Sequence, residues 1–542
     1  MTNRTWLKRS CGALGLLACL WPSVASAADP PAPGAPAVAP PEEPAENRYF
    51  LQIGLRPKAL TFAGLLQLGI IEGHAAAFHG LAQIGWESAA DRFMGVAQVG
   101  LASTVSEKEL YAAAQVSLKT NQAREIYALA QVGLRRNIAA REFLGGVQWS
   151  LVRNDAASFV GILQAAALNR ARKVIALVQI GAHNKIHTKM DEDIKPASSG
   201  GMPYFVGALQ IGGYNNLKDG KYVALAQIGG VNFIDNEFFA GGVQVALVNY
   251  VNDDFYGLAQ VGAGSLTERF YGVAQVAALN AVNDYNGVAQ AGAVNFVKND
   301  WSGLVQVGAM NVVHQHFRGL AQIGVLNFDS EKAIESIFKR RDSGSSGRFS
   351  GLLQVGLANL PSKEFRGGIQ LGALVTGAED VAALAQVGGL VSIAGEDFKG
   401  LFQVGTMAYT GHVFRGLAQI GVVSFVKREL FGAQISAFAS YVKGEGHGLQ
   451  VAAVNATRKG MDGAQVGLVN LGAIDGAQIG VYNSGDQVTG AQVGGINKAR
   501  SVTGVQVGVV NYARALKGVQ IGAVNISGGG GLPVSPVLNF SF

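Results

Sequence analysis

Phe317-Arg318-Gly319-Leu320-Ala321-Gln322-Ile323-Gly324-Val325-Leu326-Asn327 is the stretch that decides the fold. Its pattern, aromatic-x-Gly-Leu-Ala-Gln-Val/Ile-Gly-x-Val/Leu-Asn, recurs from Arg48 to the end of the chain. Such self-similarity at a short period marks a repeat architecture. Aligned on the central glutamine there are twenty-nine units, from Gln52 through Gln83, Gln98, Gln227, Gln244 and Gln322 to Gln465, Gln478, Gln492, Gln506 and Gln520. Spacing is 15–17 residues over most of the array and 13–15 after Gln450. Two gaps, Gln179 to Gln210 and Gln322 to Gln354, are about twice as long.

The unit is strict position by position. Two residues after every glutamine the side chain is small: Gly in most units, otherwise Ala or Ser as at Ser117, Ser150, Ala166 and Ala246. Five residues after it, sixteen units carry Asn, and five residues before it, seventeen carry Phe, Tyr or Trp. Glycine every few residues is costly in a helix, and apolar positions do not recur at three and four. A strand of nine to eleven residues followed by a short polar turn fits better. On that reading one face carries the aromatic and the Asn and the other carries the Gln. Val297-Lys298-Asn299-Asp300 and Ser484-Gly485-Asp486 read as turns.

Two all-β architectures accommodate such an array. In a β-solenoid each unit is one coil stacked in parallel on the last. In a large antiparallel outer-membrane barrel, of about 30 strands here, the repeat would more naturally be a hairpin. The units show no odd–even alternation, and both faces are apolar where a water-filled lumen would want one polar face. The solenoid is therefore favoured, and twenty-nine coils at ~4.8 Å would make a rod of about 140 Å. Gln83, Gln98, Gln227, Gln244, Gln322, Gln465, Gln478, Gln492, Gln506 and Gln520 would then form hydrogen-bonded ladders. So would Asn232, Asn249, Asn327, Asn470, Asn483, Asn497, Asn511 and Asn525. The barrel stays open because the chain ends Leu538-Asn539-Phe540-Ser541-Phe542, which resembles the assembly signal of outer-membrane barrels. The solenoid also leaves a difficulty, since return-segment pairs such as Ala513 and Leu516, or Ala499 and Val502, offer little apolar surface for a second wall.

Composition sets the compartment. The chain has 74 Gly, 15% charged and 49% apolar residues, which excludes disorder, and its glycines keep no collagen period. Residues 1–27 have a basic start (Arg4, Lys8, Arg9), an apolar stretch and a small-residue site at Ala25-Ser26-Ala27, as in a secretory signal. An alternative is acylation of Cys19 within Leu16-Leu17-Ala18-Cys19, which looks like a lipobox. Residues 28–47 read as an extended Pro/Ala-rich tether and 48–542 as one repeat domain with insertions at 185–203 and 328–348. Cys11 and Cys19, the only two cysteines, fall in the signal. Once the signal is removed, no disulfide, thiol nucleophile or Cys metal site is expected. The formal charge of +6, with three cations in the signal, is too small and scattered to point to nucleic acid.

The remaining motifs are weak. Gly-x-Gly fragments lie inside strands, where a nucleotide fingerprint would need a strand–turn–helix context. His314 and His316, or His183 and His187, lack a third metal ligand nearby. Asp191-Glu192-Asp193 and the helix-like run 331–341, with its apolar stripe Ile334, Ile337 and Phe338 and its basic end Lys339-Arg340-Arg341, fall in the insertions. The acidic segment reads as an exposed loop, with a cation site as the alternative. The 331–341 run reads as a short helix packed on the array, with a partner-docking element as the alternative. If a specific contact site exists these insertions are where it is expected.

The Gly-x-Gln-x-Gly-x-x-Asn motif, seen in Gly463-Ala464-Gln465-Val466-Gly467-Leu468-Val469-Asn470, resembles that of bacterial envelope surface-repeat proteins and lipoproteins. The resemblance implies an envelope or surface location and no enzymatic activity. The location expected is the outer membrane or cell surface of a Gram-negative bacterium, with the periplasm as the alternative. The expectation is a non-enzymatic structural or adhesion protein that meets outer-membrane or cell-surface components. No cofactor, metal or small-molecule substrate is evident. An outer-membrane pore or transporter is the alternative.

Overall fold

A computed structural model describes residues 47–48, 50–187, 202–235, 238–328, 347–360 and 363–542. The chain divides into Met1–Glu46 and Asn47–Phe542. The first unit lies outside the described residues, and with it the export signal, Cys11, Cys19 and nearly all of the tether. Asp191-Glu192-Asp193 and the 331–341 segment also lie outside them.

The second unit is a parallel β-solenoid. Each coil pairs in parallel with the next and in register with its sequence repeat: Gln290 faces Gln306 and Asn295 faces Asn311. Extended backbone passes through many corners without interruption, so single runs such as Lys58–Ser117 and Ile474–Ser527 span several coils. Ser484–Asp486, expected to turn, is extended in this way. Both doubled gaps are single coils that carry an insertion. Gln179 pairs with Gln210 and Gln322 with Gln354, with the inserted residues between them outside the described ones.

This arrangement overturns the barrel. An outer-membrane barrel needs antiparallel neighbours, whereas here the coils run in the same direction. The antiparallel partner is the last strand, Val534–Ser541, which folds back on the final coil. There the terminal segment acts as a lid. Asn539 Nδ2 donates to Gln520 Oε1 at 3.2 Å, and Asn525 Nδ2 donates to the Ser535 carbonyl at 3.2 Å. A stack of identical coils has an unsatisfied end, and a distinct terminal element caps it.

The assignment of Gln and Asn to opposite faces is also corrected. Phe317, Gln322 and Asn327 are all fully buried inside the coil. A separation of five would put neighbours on opposite faces of an uninterrupted strand. The chain bends between them instead, as at Gly303-Leu304 before Gln306 and at Ala452-Ala453 after Gln450, and each bend brings the next side chain back inside.

The bends also remove the closure difficulty. The aromatic column packs on an aliphatic column seven or eight residues after most glutamines, including Ile186, Leu217, Ile234, Val251 and Val297, with Ser106, Thr267, Thr410 and Thr457 taking that place in other coils. The rest of the interior is polar. Ten rings, Phe205 to Phe365, form an unbroken stack with centroids 4.4–5.4 Å apart and planes within 16°. Coil spacing dictates this face-on geometry, since the rise between parallel strands is close to the thickness of a ring plus a van der Waals contact.

The last coils are shorter and use a different device. From Gln434 onward the aromatic disappears and an aliphatic residue four before the glutamine takes its place, except in the coil of Gln450, where Gly446 stands there. Met461, Ile474, Val488, Val502 and Leu516 form a second core with Ala499 and Ala513. Glycine two residues before the glutamine absorbs the missing residue by adopting positive φ, for example +138° at Gly504. A Cβ there would sit 2.0 Å from the Gly490 carbonyl oxygen. Gly504→Ala is therefore expected to destabilise the C-terminal coils by at least about 1–3 kcal/mol. Hydrogen exchange should show that protection lost around 490–520 and retained in the coils before Gln434.

Candidate functional site

The chemistry of this chain lies in its columns. Every glutamine from Gln67 to Gln520 donates through Nε2 to Oε1 of the glutamine one coil earlier, at 2.6–3.1 Å, so Gln52 to Gln520 form one unbroken ladder. The other Nε2 hydrogen bonds backbone across the coil in several units, as from Gln83 to the Ala89 carbonyl at 2.9 Å.

The asparagines run the other way. Each Nδ2 donates to the Oδ1 one coil later, at 2.7–3.1 Å, in three runs: Asn121 to Asn249, Asn280 to Asn359 and Asn455 to Asn525. It also bonds the carbonyl of the residue after the next glutamine, as from Asn311 to Ile323 at 2.9 Å. Because donors lead toward later coils, the first oxygen of a run has no donor below it. Asn280 Oδ1 and Asn455 Oδ1 are accordingly buried without a hydrogen-bond partner among the described residues. Asn121 avoids this by accepting from the Thr104 hydroxyl at 2.6 Å.

Three ladder members lie one position beyond the expected Asn site: Asn121, Asn137 and Asn154, six residues after their glutamines. Their 16- and 17-residue spacings were the available signal. Position six again holds the polar group in coils 370 and 386, where register shifts put Thr376 beside Ser392. The small residue after each glutamine forms the floor beneath the asparagines. At Gly324 an added Cβ would lie 2.6 Å from Asn311 Nδ2 and 2.7 Å from Asn327 Oδ1.

The described titratable groups serve contacts between coils. Asp155, fully buried, sits between Arg136 and Arg153 at 2.7 Å with Arg170 at 3.7 Å, an ion cluster across three coils that the repeat pattern did not reveal. His316 Nδ1 pairs with Asp300 at 2.8 Å, while the His314 ring meets Phe296 edge-on, so the two imidazoles serve separate contacts. The His183 ring leans on Tyr214, and burial, helped by Lys185, lowers its pKa. Among the described residues no group of three or more His, Cys, Asp or Glu is placed to hold a metal.

Fold and interior together define a parallel β-solenoid repeat protein. Neither a protein-family model, a curated protein nor a solved structure matches the chain.

Two substitutions probe this interior. Gln322→Leu strands the Gln306 oxygen and a Gln354 N–H, and should cost about 2–4 kcal/mol locally. Hydrogen exchange would register the loss in the coils around 306–354. Tyr222 lies in the ring stack with its hydroxyl buried and unpartnered among the described residues, and burial pushes its pKa well above the ordinary value. A phenol that ionises in the unfolded chain but not in the fold leaves stability intact below about pH 10 and removes it above. Tyr222→Phe is therefore expected to be neutral or up to about 1 kcal/mol more stable at neutral pH. Denaturant titrations at rising pH should show a smaller alkaline loss than in the parent.

Proposed function

We propose that this chain is an exported, non-enzymatic structural protein of a bacterial envelope, displayed at the outer membrane or cell surface of a Gram-negative cell, where it scaffolds or adheres. The observation that carries the reading is the unbroken glutamine ladder. Every coil spends its interior on holding the next coil, so repetition produces length and a long, regular outer surface. The leader-like residues 1–27, the Pro-rich tether and the likeness of the motif to envelope surface repeats support the location. A pore or transporter required a barrel lumen, and the solenoid interior is filled with side chains instead.

The test is expression of the full chain, with its own leader, in a Gram-negative host. The expected result is a processed chain in the outer-membrane fraction that protease added to intact cells digests. An unprocessed chain in the cytoplasm would overturn the reading.

A further inference from the structure

The outer surface of the solenoid is divided by sequence position. Counting from the glutamine, the residues from two before it to three after it include no Asp, Glu, Lys, Arg or His in any of the twenty-nine units. The outward-facing members of that window are the second before, the first after and the third after. Leu320, Ile323 and Val325 occupy them in one coil and are 46%, 39% and 47% exposed. At the chain's own 15% share of charged residues, roughly a dozen charges would fall on these outward positions by composition alone.

The result is one uncharged apolar face that runs along the stack. Six residues of width and twenty-nine coils of height amount to roughly 2,800 Å². Soluble monomers rarely expose more than a few hundred Å² of contiguous apolar surface, so a face of this size has an apolar partner.

Its borders are graded. On one side half-buried aromatics stack from coil to coil, as in Tyr409, Phe425 and Tyr441. On the other, Tyr256 stacks on Tyr271, and further along the same row stand cations such as Arg318 and Arg415. Charge is dense at the corner between coils, seven or more residues from the glutamines, as where Lys427, Arg428, Lys443 and Arg458 line a cleft with Glu429 and Glu445. Rows of aromatics between an apolar face and a charged one are the arrangement found at the boundary between hydrocarbon and water.

We infer that this face docks on the hydrocarbon of a lipid bilayer. The solenoid lies along the membrane with the uncharged face in the acyl boundary and the charged corner in water. Lipid fits better than a second copy of the chain for two reasons. The row two before the glutamine mixes leucines and other apolar residues with Gly146, Gly242 and Gly368 and is glycine in every coil from Gly432 to Gly518. Its relief is therefore uneven, and fluid chains fill hollows that a rigid partner would leave empty. The face also repeats every coil, carries no Arg, and has only four scattered aromatics, Phe50, Trp86, Trp149 and Phe402, in twenty-nine coils, so it offers few of the anchors that set register between proteins. Its backbone meets the demand of an apolar medium, since Ala321–Ile323 pairs with Val305–Val307 on one side and Leu353–Val355 on the other.

The inference deepens the envelope reading and takes from it only which membrane is met. Vesicle binding is measured without export, so either idea can fail alone. The purified full chain is floated through a density gradient with phosphatidylethanolamine–phosphatidylglycerol vesicles at high salt, which suppresses purely electrostatic binding. The comparison is Leu304→Lys, Leu320→Glu and Leu352→Lys combined, whose charges alternate between adjacent coils so that they do not repel. Wild type is expected to float, and the triple variant's bound fraction to fall about tenfold or more with its β circular dichroism unchanged. If the triple variant misfolds, the same three positions changed to Gln serve instead and should reduce flotation in the same direction. Flotation of a folded variant equal to wild type would overturn the inference. So would a wild-type chain that stays with the unbound protein, whether as monomer or as a dimer that the substitutions dissociate.

Discussion

A primary amide carries a donor and an acceptor on opposite sides of one planar group and has no charge. Buried in a column whose members are one parallel-strand spacing apart, it can accept from one neighbour and donate to the other without limit. Carboxylates in the same place would repel. Aliphatic side chains would fill the volume without fixing which coil meets which. The Gln52–Gln520 ladder is therefore the constraint on which the rest depends, because it sets register coil by coil and keeps it across both insertions.

Other features follow from keeping that ladder intact. The Asn column takes the opposite polarity, so the side-chain dipoles of the two columns oppose each other rather than summing along the stack. The ring stack and the aliphatic column occupy the half of the interior that the amides leave, which keeps apolar and polar packing apart. Bulges move the Asn position from five to six residues after the glutamine, and the ladder polarity carries through. The cost of imperfection is visible where a run begins, at Asn280 and Asn455, whose oxygens have no donor beneath them.

Much of this was legible in the residues. The glutamine period, the small residue two positions on and the single-strand repeat together pointed to an all-β stack. The shared interior of Phe317, Gln322 and Asn327 was not, because strand alternation assigns odd separations to opposite faces and gives no sign of where a coil bends. The +6 asparagines were hidden by the same local bulges, and Asp155 by the arginines it needs from neighbouring coils. The Phe542 terminus was misleading for a different reason. Alternating apolar residues suit any edge strand, and here Asn539 makes that strand the cap of a ladder.

The interior does not account for the composition of the outer surface. Positions that face outward beside the glutamine make no ladder contact, and from Gln67 to Gln419 the chain carries Gly, Ala, Val, Ile or Leu two residues before it. Charged side chains are accepted a few residues away, at Arg318 or Arg366, on the same parallel sheet. A lysine or glutamate in place of Leu320 would break none of the hydrogen bonds described here. At the outward positions other than the positive-φ glycines of the last coils, the absence of charge is thus independent of the hydrogen bonds that hold the stack together. The ladders leave that pattern unexplained, and the proposed docking of the face on a bilayer would account for it.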